Sequence, residues 1–409
     1  FEMPEILSFG KVRASWAQVG NDTDPYKLMT NYASSTSTFY GVTQYFYARE
    51  LANANLNPEI TTSMEAGLEL KFLNNRAGID FTYYDKITTD QIMAVDISAA
   101  SGFTSKFINA GEIENKGVEL QLYYDILKDR DGFNWTINVN WAKNENTVNE
   151  LYGDLEAYQI SSSWGGVTIE ARPGETFGVI KGGGYARDDQ GNILVDGGGR
   201  PFATDDPIEL GNITPDWTGG VRNTFSYKGA SLNIVLDGRK GGDFYSVSKM
   251  FGLYAGILDE TAQGDIRENG VIAGQNVMTD ETFVVAEYDA DGVLLDDLAV
   301  NDITTSATGF YKRFYGIKEE SIIDGSFIKL REVSLGYDIP KNLIEKTGFL
   351  QSVNVSVYGR NLALLWVHES NDVELDPETG FGTSNDGMGL EQYQLPSART
   401  FGFKFTARF

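Results

Sequence analysis

The chain has 409 residues, no cysteine and one histidine, His368. This excludes disulfide scaffolds, thiolate metal sites and cysteine nucleophiles, and removes most Ser-His-Asp and multi-histidine schemes. A net charge of −25, from 58 acids against 33 bases, repels nucleic-acid phosphates, so no nucleic acid is expected as a partner.

Period-2 alternation predicts about ten strands, at 8–19, 61–73, 76–92, 113–127, 132–146, 215–228, 230–243, 325–338, 350–364 and 398–409. Between 117 and 127, Val118, Leu120, Leu122, Tyr124 and Ile126 share a face opposite Glu119, Gln121, Tyr123 and Asp125. Phe133, Trp135, Ile137, Val139 and Trp141 do the same against Asn134, Thr136, Asn138 and Asn140. In the last strand, Phe401, Phe403, Phe405, Ala407 and Phe409 oppose Thr400, Gly402, Lys404, Thr406 and Arg408. Amphipathic helices repeat at three and four, so these segments are strands. Between Leu330 and Val333 the phase shifts, which predicts a bulge.

Asn74-Asn75, Lys128 to Asp131 and Lys228-Gly229 read as tight turns, and 339–349 as a somewhat longer link opened by Pro340. Long polar loops occupy about 20–60, 93–112, 147–214, 244–324 and 365–397. Short and long connections alternate strictly, which in an up-and-down sheet puts every long loop at one end, as in outer-membrane barrels. No apolar run is long enough for a transmembrane helix, but barrels cross bilayers with strands. The opening Phe1-Glu2-Met3-Pro4 lacks the basic-then-apolar pattern of a signal peptide, so the sequence reads as a mature form or a fragment.

A soluble β-sandwich also alternates apolar and polar residues. Against it stand the strand lengths, the long rows of Asn, Thr, Ser, Glu and Lys suited to a wet lumen, and the aromatics near strand ends: Trp16, Trp135, Trp141, Trp217, Phe225, Tyr227 and Tyr337. The terminal Phe409 looks like the aromatic signal read by barrel-assembly machinery.

Several blocks resemble the SusC/RagA-type TonB-dependent transporters of the Gram-negative outer membrane. They are Val12-Arg13-Ala14-Ser15-Trp16 with Val19-Gly20-Asn21; Asn57-Pro58-Glu59 with Glu65, Gly67 and Leu68; Tyr83-Tyr84-Asp85-Lys86; and Asn115-Lys116-Gly117-Val118-Glu119-Leu120. Further on come Pro215-Asp216-Trp217-Thr218-Gly219-Gly220 and Asn223-Thr224-Phe225-Ser226-Tyr227-Lys228. The most specific is Gly325-Ser326-Phe327-Ile328-Lys329-Leu330-Arg331-Glu332-Val333-Ser334-Leu335-Gly336-Tyr337. Tyr358-Gly359-Arg360-Asn361-Leu362, Asp376-Pro377-Glu378 and Leu395-Pro396-Ser397-Ala398-Arg399-Thr400-Phe401 complete the series.

The resemblance implies an all-β fold, a transmembrane antiparallel barrel of about 22 strands, of which this chain supplies the C-terminal ten or so. It also implies an N-terminal plug energised through TonB, a SusD-like surface lipoprotein as lid, and import of oligosaccharides or peptides. The plug and the N-terminal strands are absent from this sequence. An open sheet in hydrocarbon leaves two edges unpaired, here 8–19 and 398–409. The expectation is therefore that a further barrel portion, on a separate chain or on the same polypeptide, completes the wall.

No motif singles out an acid/base pair among the carboxylates, so no enzyme and no catalytic residue are expected. His368 reads as a surface residue in an external loop. Two acidic turns, 188–196 and 289–297, suit calcium as clustered carboxylates, but lack the full EF-hand spacing and read better as Asp/Gly hairpins. No other metal or cofactor is expected. Gly182-Gly183-Gly184 and Gly197-Gly198-Gly199 open no helix and end in no Lys-Ser/Thr, so they read as loop rather than phosphate cradles.

Loop aromatics are the substrate candidates, because sugar rings stack on Trp and Tyr faces while polar groups bond their hydroxyls: Trp164, Tyr185, Tyr254, Trp366 and Tyr393. Arg360 and Asn361 are weaker ones. The function expected is the barrel wall of an importer, with a transport-free docking barrel or a soluble glycan-binding sandwich as alternatives.

Overall fold

The computed structural model describes residues 4–129, 132–289, 291–344, 346, 348–380 and 388–409. Residues 130 and 131 of one expected turn, and Ala290 of one acidic turn, lie outside them. The chain divides into two compact units, residues 1–158 with 171–177, and residues 159–170 with 178–409.

The first unit carries an antiparallel run of β1 (Leu7–Asn21), β2 (Glu59–Phe72), β3 (Ala77–Thr89), β4 (Glu112–Leu127) and β5 (Phe133–Glu150), each pairing with the next. The second carries β6 (Pro215–Tyr227), β7 (Ala230–Gly241), β8 (Phe327–Asp338), β9 (Ser352–Val367) and β10 (Thr400–Arg408), paired in the same way. All ten expected strands are present. Short turns join β2 to β3 and β6 to β7; in the latter, Lys228 and Gly229 both take left-handed φ, 46° and 85°, as a two-residue hairpin turn requires.

Register sorts the side chains into rows. Val12, Leu68, Phe81, Leu120 and Trp141 lie opposite one another across β1 to β5. Phe225, Leu232, Leu335, Val357 and Phe403 form the equivalent row across β6 to β10. The next face is polar: Lys11, Glu69, Asp80, Gln121 and Asn140 in the first unit, and Thr224, Asn233 and Ser334 in the second. Thr224 donates to the Asn233 side chain at 2.8 Å.

The apolar rows are open, with Val12 81% and Phe403 79% exposed. None of the Phe133–Trp141 row is buried. A soluble sandwich hides its apolar face in a dry core at native packing density; this sheet does not, which removes the sandwich alternative and matches a face solvated by lipid.

The predicted phase shift is a paired bulge. Register jumps from Leu330 to Glu332 against both neighbours, leaving Arg331 without a ladder partner, and in β9 Asn361 and Leu362 are skipped. Asn361 takes φ 51°.

The buried apolar residues lie mainly in the loops. One cluster gathers Tyr185, Ile193, Phe283, Phe310 and Phe314; a second gathers Val167, Ile169, Ile180, Tyr245 and Met250. The loops expected to be polar connections therefore hold their own structure. It includes a sheet of 158–163, 167–171, 179–182 and 208–212, and helix α1 (Val247–Ala255). Insertions this long stay ordered only by burying apolar surface of their own.

Candidate functional site

Helix α1 starts where the Ser246 hydroxyl accepts the Lys249 N–H at 3.0 Å and stops at Gly256 in the left-handed region. Val247, Met250 and Leu253 face inward. Phe251 and Tyr254 follow on the same stripe, four and seven residues after Val247, and organise an aromatic platform: Phe251 packs against the core and Tyr254 stands 38% exposed. Around Phe251 stand Trp164 at 5.8 Å, Tyr315 at 6.2 Å, Tyr393 at 6.2 Å and Tyr254 at 6.3 Å between ring centroids. Tyr254 and Tyr315 are 5.8 Å apart. Most of these contacts are edge-to-face or tilted, the favourable quadrupole arrangements, and they leave ring faces open: Tyr393 is 61% exposed and Trp164 56%.

The groups beneath the platform point inward. Glu391, 2% exposed, accepts from the Ser246 hydroxyl at 2.7 Å, the Ser248 hydroxyl at 2.7 Å and the Tyr393 N–H at 2.7 Å. That last bond helps hold Tyr393 at φ 62°, an uncommon conformation for an aromatic residue that sets where its ring stands. Lys318 is fully buried, donates to the Tyr315 carbonyl and lies 4.6 Å from the Tyr315 ring centroid. Burial pulls its ammonium down to about 8. It fills the space a side chain would need at Gly165, beside Trp164. Gln392 donates to the Ser163 hydroxyl at 2.8 Å, tying the Tyr393 segment to the Trp164 turn.

Of the five aromatics expected from sequence, Trp164, Tyr254 and Tyr393 come together. Phe251 and Tyr315 join them unannounced. Tyr185 does not: it is 4% exposed and donates to Glu320 at 3.0 Å. Burial first, then Glu320, holds its hydroxyl well above the ordinary tyrosine range. It supports the loop core and presents no ring. Trp366 is also displaced from the expected loop. It lies inside β9, opposite Ile328, because the apolar run Ala363–Val367 continues the strand past 364. Arg360 is taken by Glu332 at 2.7 Å, and Asn361 accepts from Arg331 at 3.2 Å.

A charge cluster pins the Asp376-Pro377-Glu378 segment to the sheet. Lys329 reaches Asp376 at 2.8 Å and Glu378 at 2.6 Å. Arg331, freed by the bulge, bonds Asp237 at 2.6 Å and Glu378 at 2.7 Å. Arg239 donates to the Pro377 carbonyl at 3.2 Å. Burial acts against ionisation of Asp376 and Glu378, yet their hydrogen bonds to Lys329 and Arg331 hold both carboxyls below the usual range.

The acidic turns are hairpins. Asp188 accepts backbone N–H groups of Gln190 and Asn192, and Asp289 those of Asp291 and Val293, at 2.8–2.9 Å. Asp196 accepts from Gly198 at 2.9 Å and Arg313 at 2.8 Å. Among the described residues, no group of three or more His, Cys, Asp or Glu is placed to hold a metal ion. His368 Nδ1 lies 3.0 Å from the Ser370 hydroxyl, in a turn. At Gly183 a side chain would meet the Gly316 carbonyl at 2.5 Å, so the triplet serves close backbone packing.

The family model "TonB dependent receptor-like, beta-barrel" matches residues 7–362. TonB-dependent receptor P3 of Formosa agariphila is 26% identical over 426 residues, covering 98% of this chain and 39% of the relative. TonB-dependent receptor SusC of Bacteroides thetaiotaomicron is 30% identical over 155 residues, covering 36% of this chain and 15% of that protein. The structure of the RagAB peptide transporter shares the fold, with TM-score 0.67 and 19% identity over 99% of this chain and 41% of that one. The chain thus spans about two fifths of the length of the relatives that match it throughout. Open apolar rows on ten antiparallel strands and a family match along most of the sequence lead to one assignment: the chain belongs to the TonB dependent receptor-like β-barrel family of outer-membrane proteins.

Proposed function

We propose that the chain forms part of the wall and external mouth of a TonB-dependent importer, and that oligomeric cargo, oligosaccharide or peptide, docks on the Trp164–Tyr254–Tyr315–Tyr393 platform. In this reading a further barrel portion with a plug pairs with β1 and β10, TonB acts through that portion, and a SusD-like lipoprotein covers the mouth. The chain binds and passes cargo and carries out no chemistry on it. The observation that carries the reading is the contrast between sheet and loops. The sheet leaves its apolar face open, whereas the loops bury a core of their own that holds four exposed rings around Phe251. Ring faces flanked by amides and hydroxyls suit the alternating apolar and polar surfaces of sugars and peptides.

The test is uptake and binding by the full-length protein. Trp164→Ala and Tyr315→Ala are each expected to weaken cargo affinity about tenfold, ~1.4 kcal/mol, and the fourfold alanine variant to abolish growth on the oligomer while growth on its monomer continues. Normal oligomer uptake by that variant, with the barrel intact, would remove the platform from the transport route.

A further inference from the structure

The second unit also holds a cleft of about 1040 Å³, at the upper end of the range for small-ligand sites. It forms where the chain leaves α1. Ile257, Leu258, Ile266, Val277 and Met278 supply the apolar part of its lining, beside Gln263, Asn276 and Thr279. Asp259, Glu260, Asp372 and Glu374 line it as well, and among the described residues no lysine or arginine does. Lys249 is close but committed: its ammonium is buried and bonds Asp372 at 3.0 Å. Among the described residues no cation pairs with Asp259, Glu260 or Glu374.

Glu260 is the unusual member. The Tyr311 hydroxyl donates to its backbone carbonyl at 2.9 Å, fixing its place. Its carboxyl is half-buried, and the one positive charge acting on it, Lys249, is bonded to Asp372 instead. Such a group is costly to ionise unless a cation arrives. Charge and shape together thus define the occupant: positive at its head, and aliphatic along its length.

We propose that this cleft binds an organic cation on an aliphatic stem, the protonated lysine or arginine side chain of a peptide. The stem lies on the Ile257–Met278 lining and the head stands among Asp259, Glu260 and Glu374. An amino sugar offers the same ammonium but on a polar ring, which leaves the apolar lining unmatched. The assignment deepens the importer reading by naming a cargo class, and rests on it only for the cargo's fate; binding is measured without transport.

The experiment is calorimetric titration of the detergent-solubilised full-length protein with trilysine, Nε-acetylated trilysine and a glucosamine trimer. Trilysine is expected to bind at least about tenfold more tightly than either of the others. The combined Asp259→Asn, Glu260→Gln and Glu374→Gln variant should lose that preference. These replacements keep side-chain shape, and heat-modifiable migration verifies the barrel. Equal binding of the acetylated peptide overturns the cation site. Trilysine binding that survives the triple variant also overturns it, because it would report only attraction to the net charge of −25. Glucosamine binding as tight as trilysine overturns the aliphatic stem.

A pH series adds an independent readout. Burial, then Asp372, raises the Glu260 carboxyl to about 7, with Lys249 opposing and Glu320 adding to the rise. The carboxylate is therefore lost as pH falls through neutrality, and trilysine affinity should drop between pH ~8 and ~6. In Glu260→Gln that dependence should disappear; an unchanged pH profile in that variant removes Glu260 from the site.

Discussion

Lys329→Met is expected to detach the 371–378 segment from the sheet and to destabilise the protein by about 3–5 kcal/mol, the usual result of removing one partner from a buried ion pair. Lys329 is 3% exposed and is the shared cation of Asp376 and Glu378. Methionine keeps the stem but strands two carboxylates, of which only Glu378 retains Arg331. The check is the denaturation midpoint together with protease cleavage within 371–378. Adding Asp376→Leu to Lys329→Met removes the stranded charge, and such apolar replacement of a whole pair is often neutral. The double variant should recover most of the loss. If the single variant melts like wild type, the cluster does not hold the loop.

The same cluster predicts an acid-labile loop. Asp376 and Glu378 titrate below their unfolded range in the folded state. Their contribution is therefore fully present above the ordinary carboxylate pKa of about 4 and is lost as pH falls through the lowered folded values. Cleavage in 371–378 should rise on acidification below pH ~4 in wild type, and should already be high at neutral pH in Lys329→Met.

The sheet was legible in the sequence because its physics is local. A strand with one face in lipid and the other in water must alternate, and rows such as Val12–Leu68–Phe81–Leu120–Trp141 are that alternation repeated across neighbours. Even the bulge at Arg331 announced itself as a phase slip. The loops were less legible, since their contacts link distant residues through short segments. Tyr185 has the same polar-loop context as Trp164, and only the fold reveals that it bonds Glu320, 135 positions away. Two signals could have found the missing rings. Val247, Met250, Phe251 and Tyr254 recur at three and four, as do the i,i+4 pairs Phe310–Phe314 and Tyr311–Tyr315. Each marks a short helix whose apolar stripe runs from the buried core out to the exposed rings, hidden by its brevity. Trp366 was misplaced because the bulge at Asn361 resets the phase of β9 just before an unbroken apolar run.

That division between sheet and loops leads to the second large effect. Phe314→Ala is expected to melt the loop core while leaving the barrel wall intact. Phe314 is 1% exposed and packs against Phe310 at 5.5 Å, Tyr311 at 5.8 Å and Tyr185 at 6.3 Å. Truncating a phenylalanine so buried costs about 3–5 kcal/mol, from lost transfer energy and the cavity left behind. This cluster consists of loop residues, so the loss falls on a unit that opens without unzipping the strands. Trypsin should then cut at Lys312 or Arg313, both in the short helical turn that carries Tyr315, while heat-modifiable migration of the folded barrel persists. Because Tyr315 is the next residue, cargo binding should fall with the loop even though no cargo-facing ring was altered. Phe314→Leu, which fills most of the cavity, should restore both readouts. If Phe314→Ala instead abolishes the heat-modifiable species and leaves the loop protected, the loop core and the wall are one cooperative structure, and the platform is held by the strands rather than by the core beneath it.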